Sequence, residues 1–277
     1  VEYKAVEERD RPTKDYLLAQ YGDASNLQAR AQLHQRYSTN PCGWQRWVYD
    51  RFDLPAQCRV LELGCGPGNL WSQNQDRLPK GWEIVLADAS PGMVQEARYN
   101  LDHAGHPFAY AVLDAQSIPF TGAIEYGGTF DAVAANHMLY HVPDRARALS
   151  EIRRVLVPGG RLYAATNGGA HMRELRALHD RFQPGAGRRI GSVAAPFTLE
   201  NGAEQLRPWF SQVTVRRQEN ALRVTEAGPL IAYVASTQTL SEDALLALAE
   251  HLEREIKEHG AIEITKDAGL FTAIRDG

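Results

Sequence analysis

Residues Arg59 to Leu70 read RVLELGCGPGNL. Val60, Leu61 and Leu63 lead into Gly64, Gly66 and Gly68, and Asn69 with Leu70 opens a helix, so the stretch reads as strand, tight turn and helix start. Glycine supplies positive φ and lets backbone approach a ligand with no Cβ in the way. The first turn of the following helix offers unpaired N–H groups. The stretch is built to hold a nucleotide-like ligand. It is not a clean dinucleotide fingerprint, which requires G-x-G-x-x-G. Here the third glycine comes two residues after the second, and Asn69 stands where the fingerprint has its last glycine.

Outward from this turn the pattern alternates. Strand-like runs at 59–63, 83–88, 108–113, 129–135 and 160–166 are separated by segments of helical periodicity, as a parallel sheet requires. Ser90 and Pro91 start one helix, with Val94, Ala97 and Leu101 on one face. Pro143 starts another with Leu149, Ile152 and Leu156, which Pro158, Gly159 and Gly160 stop. The expected fold is α/β: a doubly wound, Rossmann-like, mostly parallel sheet with an antiparallel last strand. Ligands of such sheets bind at the carboxyl ends of the strands, where the glycine turn falls.

Four segments follow from the pattern: an N-terminal helical lid at 1–56, a core at 57–220, a small helical cap at 221–260 and a closing strand at 261–277. In the first, Asn26 caps a helix and Trp44, Trp47, Val48 and Phe52 form a second apolar stripe. Tyr21, Tyr37 and Trp44 are either core aromatics or the face of a lid over a ligand. Residues 168–196 read as a helical piece with Met172, Leu175, Leu178 and Phe182, then a loop QPGAGRRIGS that lacks the G-K-[ST] ending of a phosphate loop. Arg188 and Arg189 there hint at an acidic substrate. Residues 197–209 look helical and 212–219 extended. An amphipathic helix after Ser241 carries Leu245, Leu248, Leu252 and Ile256, and Gly260 ends it.

Composition sets outer limits. The 277 residues carry 30 basic and 34 acidic side chains, a formal charge of −4, with no block of like charge. That disfavours a constitutive partner of nucleic acid or of an anionic membrane. The charged start VEYKAVEERDRPTKDY is unlike a signal peptide, and no apolar run approaches a membrane span. A cytoplasmic protein is expected. Cys42, Cys58 and Cys65 form no C-x-x-C pair, so neither a disulfide framework nor a zinc site follows. His137 and His141 are spaced i, i+4 but lack the glutamate of H-E-x-x-H and a third ligand. No metal is expected.

The strand ends carry the chemistry. Asp88 closes the second strand in VLADASPGM, 20 residues after Gly68. A carboxylate there can accept both ribose hydroxyls of an adenosine, or it is merely a helix-entry aspartate. Asp114, in VLDAQSIPF, can accept from an adenine amino group while backbone at Ala115 and Gln116 reads the ring edge. The bland alternative is an Asx turn.

Glu62 before the G-x-G-x-G turn resembles the first motif of class I S-adenosylmethionine (SAM) dependent methyltransferases, and the Asp88 string with Ala89 resembles the second. The run FDAVAANHMLYHVPDRARALSEIRRVLVPGGRLYAATN resembles the later motifs of the small-molecule, ubiquinone-biosynthesis group. The resemblance covers residues 59–166 and the closing strand. It implies SAM as cofactor, held by Glu62, Gly64, Cys65, Gly66, Asp88, Ala89, Met93 near the adenine, Asp114, Ala115, Gln116, and Asn136 with His137 at the methionine end. Tyr21 would join from the lid. The Asn-Pro-Pro-Tyr string of amino-methylating nucleic-acid enzymes is absent.

The chemistry implied is methyl transfer to an O, N or C atom of a small molecule. The sulfonium is already activated, so alignment and water exclusion do most of the work. A protonated acceptor needs a base, for which His137 and His141 are the candidates. Tyr21, His34, Tyr37, Tyr140 and His171 are looser pocket candidates. Two other readings stay open: a SAM-fold enzyme for cyclisation, decarboxylation or isomerisation, and a non-catalytic SAM-binding module. A homodimer through the Trp44 and Trp47 helix is equally open.

Overall fold

The structure is a computed structural model and describes residues 32–120, 129–188 and 193–277. These fall into two compact units. The first holds Cys42–Gly168, Phe197–Gln218 and Ala268–Gly277. The second holds the described part of Val1–Pro41 with Gly169–Pro196 and Glu219–Asp267. Tyr21, Asn26 and Arg189 lie outside the described residues.

In chain order the elements are α1 (Trp44–Tyr49), β1 (Gln57–Leu63), α2 (Asn69–Ser72), β2 (Gly81–Asp88), α3 (Pro91–Leu101), β3 (Phe108–Val112), β4 (Phe130–Asn136), α4 (Arg145–Val155), β5 (Leu156–Asn167), α5 (Arg173–Phe182), α6 (Gly202–Leu206), β6 (Ser211–Val224), α7 (Ala227–Ser236), α8 (Glu242–His259) and β7 (Ile262–Ile274). The sheet runs β3-β2-β1-β4-β5-β7-β6. Strands β1 to β5 pair in parallel, and β7 joins β5 antiparallel, with Arg161 opposite Ile274 and Asn167 opposite Ala268. This is the mixed, Rossmann-like sheet expected from the alternating pattern.

The period of two along each strand explains the layering in the first unit. Leu61, Leu63, Val133, Ala135, Leu162 and Ala164 pack on one face with Leu149 and Ile152 of α4. Val60, Ala132, Tyr163 and Ala165 pack on the other with Trp47 of α1, Trp71 of α2 and Ala97 and Leu101 of α3. The central strands are apolar on both faces because both are covered. Each fully buried aliphatic or aromatic side chain contributes about 1.5–3 kcal/mol, against about 1 kcal/mol for a helix cap. Burial therefore holds the helices on the sheet, while the caps fix where they start. Ser90 Oγ accepts from Met93 N with Pro91 at the first helical position, and Asp144 accepts from Arg147 N at 2.9 Å.

Two details differ from the linear reading. The helix before Pro158 ends at Val155, and β5 begins at Leu156, so Pro158, Gly159 and Gly160 lie inside a strand rather than in a turn. A register shift between Phe130 and Ala132 absorbs them, and Gly159 N donates to Arg275 O at 2.8 Å. A proline removes one donor, which a strand tolerates at an irregularity. The helical stretch read over 197–209 is shorter, confined to Gly202–Leu206.

The second unit has its own core. Leu33 and Tyr37 from the helical residues 32–37, Met172, Leu175 of α5, Leu230 and Val234 of α7, and Leu248 and Leu252 of α8 close around Leu222, Val224 and Ile264. Asn220 Oδ1 accepts from Ser38 Oγ at 2.9 Å and from Asn40 N at 3.1 Å. Ser241 caps α8, and Gly260 closes it at φ 80° with its N–H on Ile256 O, as the Ser and Gly signals predicted.

Candidate active site

Four neighbouring strands, β3-β2-β1-β4, bring their carboxyl ends to one edge of the first unit, and each end carries a polar residue. Asp88 and Asn136 are the last residues of β2 and β4, Glu62 is the penultimate residue of β1, and Asp114 follows β3 by two. The glycine turn lies between them. Gly64, Gly66 and Gly68 have φ of 64°, 52° and 79°, the left-handed region that other residues enter at a cost. A Cβ on Gly64 would stand 2.6 Å from Met138 Cβ, so this glycine lets the β1 and β4 ends approach. Among the described residues a Cβ on Gly66 would meet nothing within 4 Å. Gly66 thus leaves an open cradle in the turn.

Asp88 ties that turn to β2. Its Oδ2 accepts from Gly66 N at 2.9 Å and its Oδ1 from Ser90 N at 2.9 Å. Burial pushes its carboxyl up, and these backbone N–H groups work against that. A carboxylate has about four acceptor positions, so each oxygen keeps one for a ligand hydroxyl. Asp114 is exposed and accepts from Gln116 N at 2.8 Å and from Gln116 Nε2 at 3.0 Å. Gln116 Oε1 in turn accepts from Asp144 N at the cap of α4. The Asx turn is present, and it holds Gln116 beside the acid rather than excluding a ligand.

Glu62 is only 3% exposed. Trp71 Nε1 donates to its Oε2 at 2.6 Å, and Asn136 Nδ2 lies 3.4 Å from its Oε1. Burial pushes the carboxyl up to about 8, with the two hydrogen bonds opposing. That shift favours the protonated, neutral carboxyl at pH 7. Burial also raises the Cys65 thiol, which makes it a packed side chain and not a nucleophile. Met93 is 3% and Ala115 6% exposed, whereas Ala89 is exposed.

His137 follows β4 at φ 54°, and its N–H donates to Ala165 O at 2.9 Å. Its ring lies 5.2 Å from Trp44 and 6.4 Å from Tyr140, and Tyr140 lies 4.5 Å from His141. A 3₁₀ turn over Leu139–His141 carries the latter two. Trp44 also stacks on Trp47 at 5.2 Å. His34, Tyr37 and His171 belong to the second unit, and Tyr21 lies outside the described residues. Two residues escaped the sequence reading: Trp71, the donor to Glu62, and Met138, beneath Gly64. An indole nine residues after a buried acid was the one available signal. Among the described residues no group of three or more His, Cys, Asp or Glu could hold a metal.

Residues 61–164 match the family described as a methyltransferase domain. The chain is 37% identical over 112 residues to a ubiquinone biosynthesis O-methyltransferase of Xanthomonas axonopodis pv. citri, covering 40% of this chain and 44% of the relative. It is 28% identical over 154 residues to the ubiquinone/menaquinone biosynthesis C-methyltransferase UbiE of Pectobacterium carotovorum, covering 55% and 59%. The chain thus spans about half the length of these curated relatives. Among solved structures, a Haemonchus contortus phosphoethanolamine N-methyltransferase 2 bound to S-adenosylhomocysteine superimposes with TM-score 0.60 at 19% identity, over 95% of this chain and 60% of that one. The [4+2]-cyclase SpnF superimposes with TM-score 0.58 at 19% identity, over 96% and 97%. These structures show the fold. Residues 61–164 thus match a methyltransferase domain, on a fold that these solved structures share.

Proposed function

We propose that this chain transfers the methyl group of SAM to an O, N or C atom of a small molecule by in-line displacement. The observation that carries the reading is the series of polar strand ends around a glycine turn whose Gly66 has open space in front of it. SAM supplies an activated methyl group on a sulfonium. The residues here bind and orient: Asp88 toward ribose hydroxyls, Asp114 and Gln116 toward the adenine edge, and Asn136 and His137 toward the methionine end. Glu62, Gly64, Cys65, Ala89, Met93 and Ala115 shape the same cradle.

The curated relatives act in ubiquinone and menaquinone biosynthesis, which supports a phenolic hydroxyl or ring carbon as acceptor. For a hydroxyl, His137 or His141 takes the proton, because imidazole exchanges protons near neutrality. Substrate selection by residues 1–56 and 221–260 belongs to the same reading, as do a cytoplasmic setting and a homodimer. Among the described residues no helix is long and apolar enough to cross a membrane.

Incubation with methyl-labelled SAM and a panel of phenols and quinols tests the proposal. Label is expected in the acceptor with one S-adenosylhomocysteine formed per product, and His137→Asn or His141→Asn is expected to lower the rate for hydroxyl acceptors alone. SAM recovered unchanged while product forms would replace methyl transfer by a reaction that only borrows the cofactor.

A further inference from the structure

Two arginines of the first unit stand on one face of the sheet with no acid paired to either. Side chains alternate along a strand, and on β6 their partners fix which way each one points. Val213 packs against the cluster of Leu199, Phe271 and Ala273, and Arg217 Nη2 donates to Glu200 Oε1 at 2.8 Å, so the odd-numbered residues face that side. Gln218 Nε2 donates to Cys42 O at 3.1 Å, just ahead of α1, so Gln218 and Arg216 face the other. This is the side on which Trp47 of α1 packs with Tyr163, Ala165 and Leu270.

Arg51 follows α1 by two residues. Its Nη1 donates to Trp47 O at 2.5 Å, and its guanidinium carbon stands 3.6 Å from the centroid of the Trp47 ring. A guanidinium stacked on an indole is held in orientation before any ligand arrives. Its Nε is buried with no hydrogen-bond partner among the described residues, and its Nη2 makes no hydrogen bond there either. Burial pulls Arg51 below the usual arginine range, and the positive charge of Arg216 is the next largest influence in the same direction, with Asp50 and Cys42 opposing. The register of β6 and this repulsion place the two guanidinium groups together.

The neighbouring acids are paired elsewhere: Asp50 with Arg77, Asp53 with Arg161 at 2.9 Å and Glu200 with Arg217. Among the described residues neither Arg51 nor Arg216 has an ion pair. Arg216 is exposed and Arg51 is half-buried, so a ligand can reach both. Two like charges side by side repel, and an anion between them turns that repulsion into two attractions.

We infer that Arg51 and Arg216 form a binding site for a phosphate group, carried by a small monoester or by the headgroup of a lipid that ends in phosphate. Two guanidinium forks match the double charge and three terminal oxygens of a phosphomonoester, whereas a carboxylate fills one fork. Trp47 backs the Arg51 fork and Gln218 holds the end of β6 against Cys42. The site lies on β6, at the opposite edge of the sheet from β3 and separated from β4 by β5 and β7. It is therefore distinct from the cradle at the ends of β1 to β4, and it does not depend on methyl transfer.

Inorganic phosphate, phenyl phosphate and benzoate are titrated into the full chain by calorimetry at constant ionic strength, and flotation with phosphatidylcholine vesicles carrying phosphatidic acid tests the lipid source. Both phosphates are expected to bind well ahead of benzoate. Arg216→Gln should weaken phosphate by about tenfold or more, the size expected for one charge-assisted hydrogen bond, and Arg216→Lys should fall between the two because an ammonium lacks the fork. Arg207→Gln removes an exposed arginine elsewhere on the same unit and should leave binding unchanged. In phosphate-free buffer Arg216→Gln should melt no lower than wild type, since it removes a repulsion. Flotation that Arg216→Gln abolishes assigns the lipid headgroup, and binding of the soluble phosphates without flotation assigns a free monoester. Failure of the soluble phosphates at millimolar concentration together with no flotation, equal binding by Arg216→Gln, an equal loss in Arg207→Gln, or benzoate bound as tightly as phenyl phosphate would each overturn the site.

Discussion

Replacing Glu62 by glutamine separates a buried neutral acid from a buried carboxylate. In the folded chain Glu62 is 3% exposed and its carboxyl is pushed up from 4.5 to about 8. The unfolded chain releases this proton near 4.5, and the folded chain keeps it until about 8. Folding stability from this group is therefore complete below pH 4.5 and is lost progressively as pH rises to 8. The slope approaches about 1.4 kcal/mol per pH unit, on the order of 3 kcal/mol between roughly pH 5 and 7.5. Glutamine is neutral throughout. Its carbonyl can accept the Trp71 Nε1–H that Glu62 takes at 2.6 Å.

The same variant bears on Asn136, whose Oδ1 is buried with no hydrogen-bond partner among the described residues. Turning that amide by half a turn presents Oδ1 to the O–H of a neutral Glu62, or to the amide N–H of a glutamine. Urea denaturation of both proteins across pH 5 to 7.5 is the assay. Glu62→Gln is expected to gain on wild type steadily as pH rises, with a gap on the order of 3 kcal/mol at the upper end. Parallel stability curves would refute the reasoning, because they would mean that the folded chain carries Glu62 ionised.

The glycines divide by what surrounds them. Gly64→Ala forces a Cβ against Met138 at φ 64° and should cost about 2–4 kcal/mol of stability in thermal denaturation, combining left-handed strain with overpacking. Gly66→Ala meets no neighbour among the described residues, so about 1–2 kcal/mol of strain is expected, while calorimetry should show SAM affinity falling far more than stability. Asp88→Ala should weaken SAM by about 1–3 kcal/mol through lost charge-assisted hydrogen bonds. Unchanged affinity in a folded Asp88→Ala protein would remove Asp88 from the site, and NAD bound more tightly than SAM would change the cofactor.

The legible features are local ones. Gly64, Gly66 and Gly68 were readable because a tight turn after a strand demands left-handed φ, and all three adopt it. Ser90, Pro91, Ser241 and Gly260 marked helix ends because a cap is a contact within four residues. Strand ends at Asp88 and Asn136 followed from apolar runs that stop. The strand through Pro158–Gly160 was not readable. Those residues favour a turn, and their place in β5 depends on pairing with Arg275, more than a hundred residues away.

The turn, the order of strands and helices, and the positions of Glu62, Asp88, Asp114 and Asn136 at strand ends were determined by the sequence alone, because spacing and backbone preference act over a few residues. Tertiary structure alone decided which of those groups carries charge. Enclosure by β4 and Trp71 pushes the Glu62 carboxyl up, and Asp88 is divided between two backbone donors. Burial and partners come from residues distant along the chain, and no local pattern encodes them.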